Sequence, residues 1–199
     1  MLTEPTMEKL RGMRLHVMAA TWAEQQRDPD VTALSFDERL GLMVDAEWIH
    51  QQNKRLARRL REAKLRIPQA CTEDVDGGAR RGVDKALLRQ LATCQWVEDR
   101  LNLVITGATG VGKTYLACAL AQQACRKGYR AVYRRAPRLF DELTLARADG
   151  TYGRLLTRLS RIHVLVIEDL GLQPLAERDR YDLLEIVEDR YGTRSTILT

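Results

Sequence analysis

The stretch that most limits what this chain can become is Gly107-Ala108-Thr109-Gly110-Val111-Gly112-Lys113-Thr114. It follows a short apolar run, Leu101–Thr106, and opens an Ala/Leu-rich segment, Tyr115 to Arg126. Strand, glycine loop and helix in that order make G-x-x-x-x-G-K-[ST] a phosphate-binding loop rather than a glycine-rich turn with an incidental lysine. Glycines at 107, 110 and 112 allow turns that a Cβ forbids, so several N–H groups converge on one anion. The positive end of the following helix adds to that field. Lys113 can reach the β- and γ-phosphates of a nucleoside triphosphate, and the Thr114 hydroxyl can ligate Mg²⁺. Residues 107 to 114 are therefore the candidate nucleotide-binding positions.

A second stretch completes that chemistry. Ile162-His-Val-Leu-Val-Ile167 is an apolar run suited to a strand covered on both faces, and it ends in Glu168-Asp169. A P-loop enzyme needs an acid at a strand tip to help hold Mg²⁺, and a neighbour to orient the attacking water. Glu168 is the candidate metal-side acid, alongside Thr114, and Asp169 the candidate base. With Lys113 they make up the candidate catalytic set. The usual order is Asp then Glu. The inversion shortens the base by about one methylene, which leaves binding intact but weakens the case for efficient hydrolysis. The plainer alternative is a pair of exposed acids at a strand end.

Around these two stretches strands and helices alternate. Strands are expected at 101–106, 130–133 and 162–167 and from 196, with helices between them. That pattern predicts an α/β fold, a mostly parallel sheet with right-handed crossovers. An all-helical region precedes it. Thr3 and Pro5 look like a helix entry, and Asp28-Pro29-Asp30 ends that first helix. Ser35-Phe-Asp-Glu38 is a capping box for a long helix broken at or before Ile67, since Pro68 disfavours α geometry there. Asp84 can cap another helix, carrying Leu87, Leu88, Leu91 and Trp96. The expected organisation is a helical region over 1–75, a linker over 76–83 and a P-loop core over 84–199.

Charge is unevenly spread. The net charge is +5, yet seven cations fall within residues 54–66, with Glu62 the only acid. Such density points to phosphate contacts along the helix, with Lys54, Arg55, Arg58, Arg59 and Lys64 as candidate DNA-binding residues. The alternatives are a solvated face, or partners for the acids of Glu73-Asp74-Val-Asp76. No run of about 18 apolar residues suggests a membrane span. The N-terminus lacks the basic start and apolar block of a secretory signal, so a cytoplasmic protein is expected, with its four cysteines as free thiols.

Five stretches together carry a family resemblance: Ser35–Gly41, Asn53–Arg66, Gly107–Thr114, Ala146–Arg154 and Val164–Gly171. Over nearly its whole length the chain resembles the IstB-like transposition helper ATPases, AAA+ partners of insertion-sequence transposases. It is similar, more distantly, to the DnaC helicase loaders and the DnaA initiator. The resemblance implies an AAA+ core using ATP and Mg²⁺, assembly with further copies on double-stranded DNA, and contact with a transposase during target selection. It also implies basic residues of the core facing the duplex, which by position are Arg134, Arg135 and Arg138. The family pattern continues past Thr199 through a sensor, an arginine finger and a helical lid. The expectation is thus a truncated core that binds ATP and hydrolyses little. A DnaC-like helicase loader and an ATP-binding but inactive remnant are the alternatives.

Overall fold

The computed structural model describes residues 3–75, 84–172 and 174–199, so the expected linker over 76–83 lies outside the described residues. The chain divides into two compact units, 1–57 and 58–199. The division falls inside the long helix rather than at 76–83. The reason is apolar burial after the boundary: Ala63, Leu65 and Ala70 are all buried, so residues 58–75 go with the second unit.

The first unit holds α1 (Thr3–Gly12), α2 (His16–Gln25), the short α3 (Pro29–Thr32) and the first part of α4 (Phe36–Ala63). The single first helix expected from the sequence is two helices. Arg14 takes a left-handed φ of 64°. The N–H groups of Arg14 and Leu15 then reach back to the carbonyls of Arg11 and Leu10, each at 2.9 Å, which closes α1. The next helix starts on a borrowed cap. Glu47 of α4 accepts from the N–H groups of Val17 and Met18 at 2.9 and 3.0 Å. Burial alone would push the Glu47 carboxyl up. Hydrogen bonds from Gln51 and these two amides outweigh it and hold the pKa below the usual glutamate value. The capping box forms as expected: Glu38 N–H donates to Ser35 Oγ at 3.3 Å, and Ser35 N–H to Glu38 Oε2 at 2.9 Å.

The second unit contains the end of α4, a 3₁₀ turn at Thr72–Asp74, α5 (Lys85–Ala92), α6 (Gln95–Glu98), β1 (Leu103–Val104), α7 (Lys113–Arg126), β2 (Ala131–Arg135), α8 (Ala136–Ala148), α9 (Tyr152–Ser160), β3 (Val164–Glu168), α10 (Glu177–Arg190) and β4 (Ser195–Leu198). Asp84 caps α5, accepting from Ala86 N–H at 2.9 Å. Trp96 lies beyond the end of α5, on α6, because Cys94 turns left-handed between them.

All strand pairs are parallel, in the order β1-β4-β3-β2. The central β3 is buried along its whole length, which its unbroken apolar run requires. At the edge, β1 pairs only with β4 and is shorter than the apolar run that contains it. Helix α7 presents Ala117, Cys118, Ala121, Ala124 and Cys125, all fully buried, and such small side chains bring a helix close to its neighbours. Across the unit Leu139, Leu143, Leu165, Ile167 and Ile186 form the heart of the core. Each such side chain contributes about 1.5–3 kcal/mol on burial.

Two polar devices lock the helices. Fully buried Asp182 of α10 is paired with Arg147 of α8 and accepts from the Tyr152 hydroxyl of α9 at 2.9 Å, while the Arg147 guanidinium stacks 3.6 Å over the Tyr152 ring. Arg190 is also buried and donates to carbonyls at the end of α9 and the start of β4. The cysteines are free thiols, three of them buried, and among the described residues no cluster suits a metal ion. No helix among the described residues is long and apolar enough to cross a membrane.

Candidate nucleotide site

The loop between β1 and α7 winds through positive φ at Gly107, Gly110 and Gly112, at 152°, 85° and 99°. Gly110 and Gly112 hold angles that side chains avoid. At Gly107 a Cβ would also stand 3.2 Å from Val111 Cγ2. Gly112 is the N-cap of α7, so the first N–H groups of that helix open toward the loop. The Lys113 ammonium lies over the loop, donating to the carbonyls of Gly107 and Ala108 at 2.9 and 3.0 Å. A cation and a helix N-terminus thus meet at the glycine loop, the arrangement that suits a polyphosphate.

The parallel register carries β3 to the same end of the sheet. Its last residue, Glu168, is 2% exposed and receives the Thr114 hydroxyl on Oε1. On Oε2 it accepts from the Tyr133 hydroxyl of β2, and Arg66 Nη1 stands 3.4 Å away. Tyr133 pairs in register with Val166, two residues before Glu168, so side-chain alternation puts phenol and carboxylate on one face. Asp169 follows with a left-handed φ of 63° and forms an ion pair with Arg135 at 2.7 Å. Hydroxyl and carboxylate oxygens side by side are a hard donor set that fits Mg²⁺. Thr114 and Glu168 are the residues that would hold it.

Of the expected site residues, the fold brings Lys113, Thr114, Glu168 and Asp169 to one end of the sheet. Tyr133 and Arg66 were missed. Tyr133 could have been found from strand register. Arg66 belongs to the basic run of 54–66, but nothing in the sequence pairs it with a residue 102 positions away.

The basic candidates fare unevenly. Lys54, Arg55, Arg58 and Lys64 are exposed, and Arg59 is half-buried. Among the described residues Lys54, Arg55, Arg59 and Lys64 form no ion pair, while Arg58 and Arg130 each approach Glu62 at 3.9 Å. Glu73 pairs with Arg126 at 2.7 Å, not with the α4 cations. Arg138 is exposed at the start of α8. Arg134 turns inward instead, against Glu142 at 3.3 Å, with its side chain only 15% exposed.

The family model for IstB-like ATP binding proteins matches residues 8–199. The chain belongs to the IstB-like ATP-binding family. It is 48% identical over all 199 residues to the ATP-binding protein of insertion sequence IS1162 from Pseudomonas fluorescens, covering 86% of that protein. It is equally similar to the insertion-sequence ATP-binding protein y4pL of Sinorhizobium fredii, covering 81% of it. Among solved structures the DnaC helicase loader superposes with a TM-score of 0.56 at 24% identity, over 65% of this chain and 76% of that one. DnaA bound to AMPPCP and single-stranded DNA gives 0.55 at 21%, over 66% of this chain and 42% of that one. At those identities the likeness is one of fold. The IstB-like chain thus shares with them a parallel sheet flanked by helices, and further helices precede it.

Proposed function

We propose that this IstB-like protein binds ATP with Mg²⁺ at residues 107–114 and acts on double-stranded DNA as the helper of an insertion-sequence transposase, assembling there with further copies. The observation that carries the nucleotide half is the junction of Thr114 with Glu168 beside a loop whose own lysine is drawn inward. The loop N–H groups bind and orient the polyphosphate. Lys113 exchanges its two carbonyl acceptors for phosphate oxygens. Thr114 and Glu168 hold magnesium, which neutralises charge on the phosphate oxygens. Asp169 is the candidate base, with Oδ2 held by Arg135 and its side chain partly exposed.

The DNA half is supported by the exposed cations Lys54, Arg55 and Lys64, which form no ion pair among the described residues, and by Arg138. The insertion-sequence relatives favour transposition over helicase loading, since the DnaC likeness extends to fold alone.

A titration with a fluorescent ATP analogue tests the nucleotide site. Lys113→Ala removes a charge-assisted contact of about 1.5–3 kcal/mol, so affinity falls about 10- to 100-fold. Equal affinity in the two proteins overturns the assignment. For DNA, changing Arg58, Arg59 and Lys64 to Gln lowers the slope of log K against log salt by about 0.9 per lost phosphate contact. An unchanged slope makes that face merely solvated.

A further inference from the structure

Beside the nucleotide site, at the C-terminal end of β2, lies a cavity of about 410 Å³ ringed by Lys64, Arg66, Arg134, Arg135 and Arg138, with Tyr133 in its wall. Its charges are not equally compensated. Arg134 is paired with Glu142 at 3.3 Å and Arg135 with Asp169 at 2.7 Å. Among the described residues Lys64 and Arg138 have no ion-pair partner. Arg66 has one long contact of 3.4 Å, to a Glu168 that is already held by Thr114 and Tyr133. The cavity therefore has spare positive charge, and of its three paired cations the one with the longest contact is the one that touches the candidate metal ligand.

The backbone around Arg66 is fixed while its side chain is not. Lys64 turns left-handed with φ 50° at the end of α4. Ala63, Leu65 and Ala70 are buried around that turn, and the backbone N–H groups of Arg66 and Ile67 face the buried Cys118 thiol. Cys118 lies one helical turn after Thr114 on α7, so the turn is seated on the helix that carries the phosphate loop. The Arg66 side chain is nevertheless 53% exposed, so its guanidinium can swing on a fixed base.

We propose that this cavity takes one backbone phosphate of the DNA, and that Arg66 is shared between that phosphate and Glu168. A phosphate in the cavity offers the guanidinium a planar, bidentate partner. That draws Arg66 off Glu168 and leaves the carboxylate to magnesium. The inference rests on the DNA reading above. It adds that DNA and Mg·ATP bind cooperatively through one named side chain. By linkage each ligand then tightens the other by the same factor.

The experiment measures affinity for a fluorescent ATP analogue with and without Mg²⁺, and with and without a short DNA duplex, in the full chain. DNA is expected to tighten Mg²⁺-dependent binding at least about 5-fold, with the reciprocal gain in DNA affinity. Without Mg²⁺ that factor shrinks toward one, because no metal competes for Glu168. Arg66→Gln, tested without DNA, binds the Mg²⁺-analogue as tightly as the DNA-bound parent does, and its coupling factor is one. Arg138→Gln loses DNA affinity and coupling together. A coupling factor unchanged in Arg66→Gln overturns the proposal while leaving the DNA reading intact. So does weaker Mg²⁺-analogue binding by that variant without DNA. If the parent binds no duplex at low salt, the DNA reading falls and the phosphate with it. The DNA-free comparison then still decides whether Arg66 holds Glu168 from the metal.

Discussion

Two of the buried charges of the second unit lie at opposite ends of the sheet. Arg190 is 1% exposed and Glu168 2%. Arg190 lies where β3 and β4 begin. It donates to the carbonyls of Leu159, Ile162, His163 and Ser195 and to the Thr196 hydroxyl, the second at 2.9 Å and the last at 3.0 Å. No carboxylate is among these partners. Burial, with the charge of Arg194 added, pulls its pKa down to about 10, so it stays a cation at neutral pH. Glu168 sits where β3 ends, and its partners are all side chains: Thr114, Tyr133 and Arg66. A backbone carbonyl cannot leave without unfolding the segment that carries it, whereas a hydroxyl or guanidinium can rotate away. A charge held by backbone is therefore a fixed part of the fold. A charge held by side chains can change partners, as a site at the C-terminal end of parallel strands must.

Removing Arg190 is the strongest way to break this comparison. Arg190→Met gives back the desolvation of the guanidinium but removes its charge-assisted hydrogen bonds, at about 1.5–3 kcal/mol each, although the carbonyls of Leu159 and His163 keep N–H donors from Ile162 and Ser195. The net loss is expected to be on the order of 3 kcal/mol, a large fraction of a domain's stability. A denaturant midpoint measures it, and the folded fraction should bind the ATP analogue with unchanged affinity. A variant as stable as the parent, or one that is stable but has lost nucleotide binding, would mean that the two ends of the sheet differ less than their partners suggest.

At the other end, Tyr133→Phe sharpens the comparison. It deletes one hydrogen bond to a buried carboxylate, worth about 1.5–3 kcal/mol with a charged acceptor. Tyr133 is a positioning residue, so the loss should fall on the metal-dependent part of binding. The added affinity that Mg²⁺ confers on the analogue is expected to drop about 10-fold, while Mg²⁺-free affinity stays as it was. A uniform loss with and without Mg²⁺ assigns the phenol to packing instead.

How much of this could be read beforehand follows from how far each partner lies along the chain. The phosphate loop, the Ser35–Glu38 box and the Asp84 cap are local: every group that satisfies them is within a few residues, so spacing alone predicts them. Helices α8 and α9 were legible for the same reason, bounded by Pro137 and by Asp149-Gly150. The left-handed break at Arg14 was not, because Arg is an ordinary helix former and the bonds that close α1 are backbone bonds. Arg134 looked like a free cation at a strand tip, yet Glu142, two helical turns into α8, folds it inward. Arg190 and Arg66 meet partners that only the completed sheet and the turn after α4 bring to them. Burial of an arginine without an acid is a pattern that no periodicity reports.

The first unit offers a buried charge of its own and the smallest expected effect. Glu47 is 5% exposed, and two of its hydrogen bonds come from backbone amides at the start of α2. By the rule drawn from Arg190 it should be structural. Its carboxyl is held below the usual glutamate value, so between the folded and unfolded pKa the unfolded chain binds more protons. The stability it contributes is thus fully present above the unfolded value of about 4.3, and is lost as pH falls through the folded value. Glu47→Gln keeps an acceptor oxygen for α2 but removes the charge, so at neutral pH it should cost only about 0.5–1 kcal/mol, the range of a helix cap. Denaturant midpoints taken from neutral pH down through that window make the comparison. The gap between parent and variant should close as pH drops, because the parent's carboxyl becomes neutral like the amide. A gap that persists unchanged at acid pH would place the contribution of Glu47 in packing rather than in its charge, and the rule would then hold for Arg190 alone.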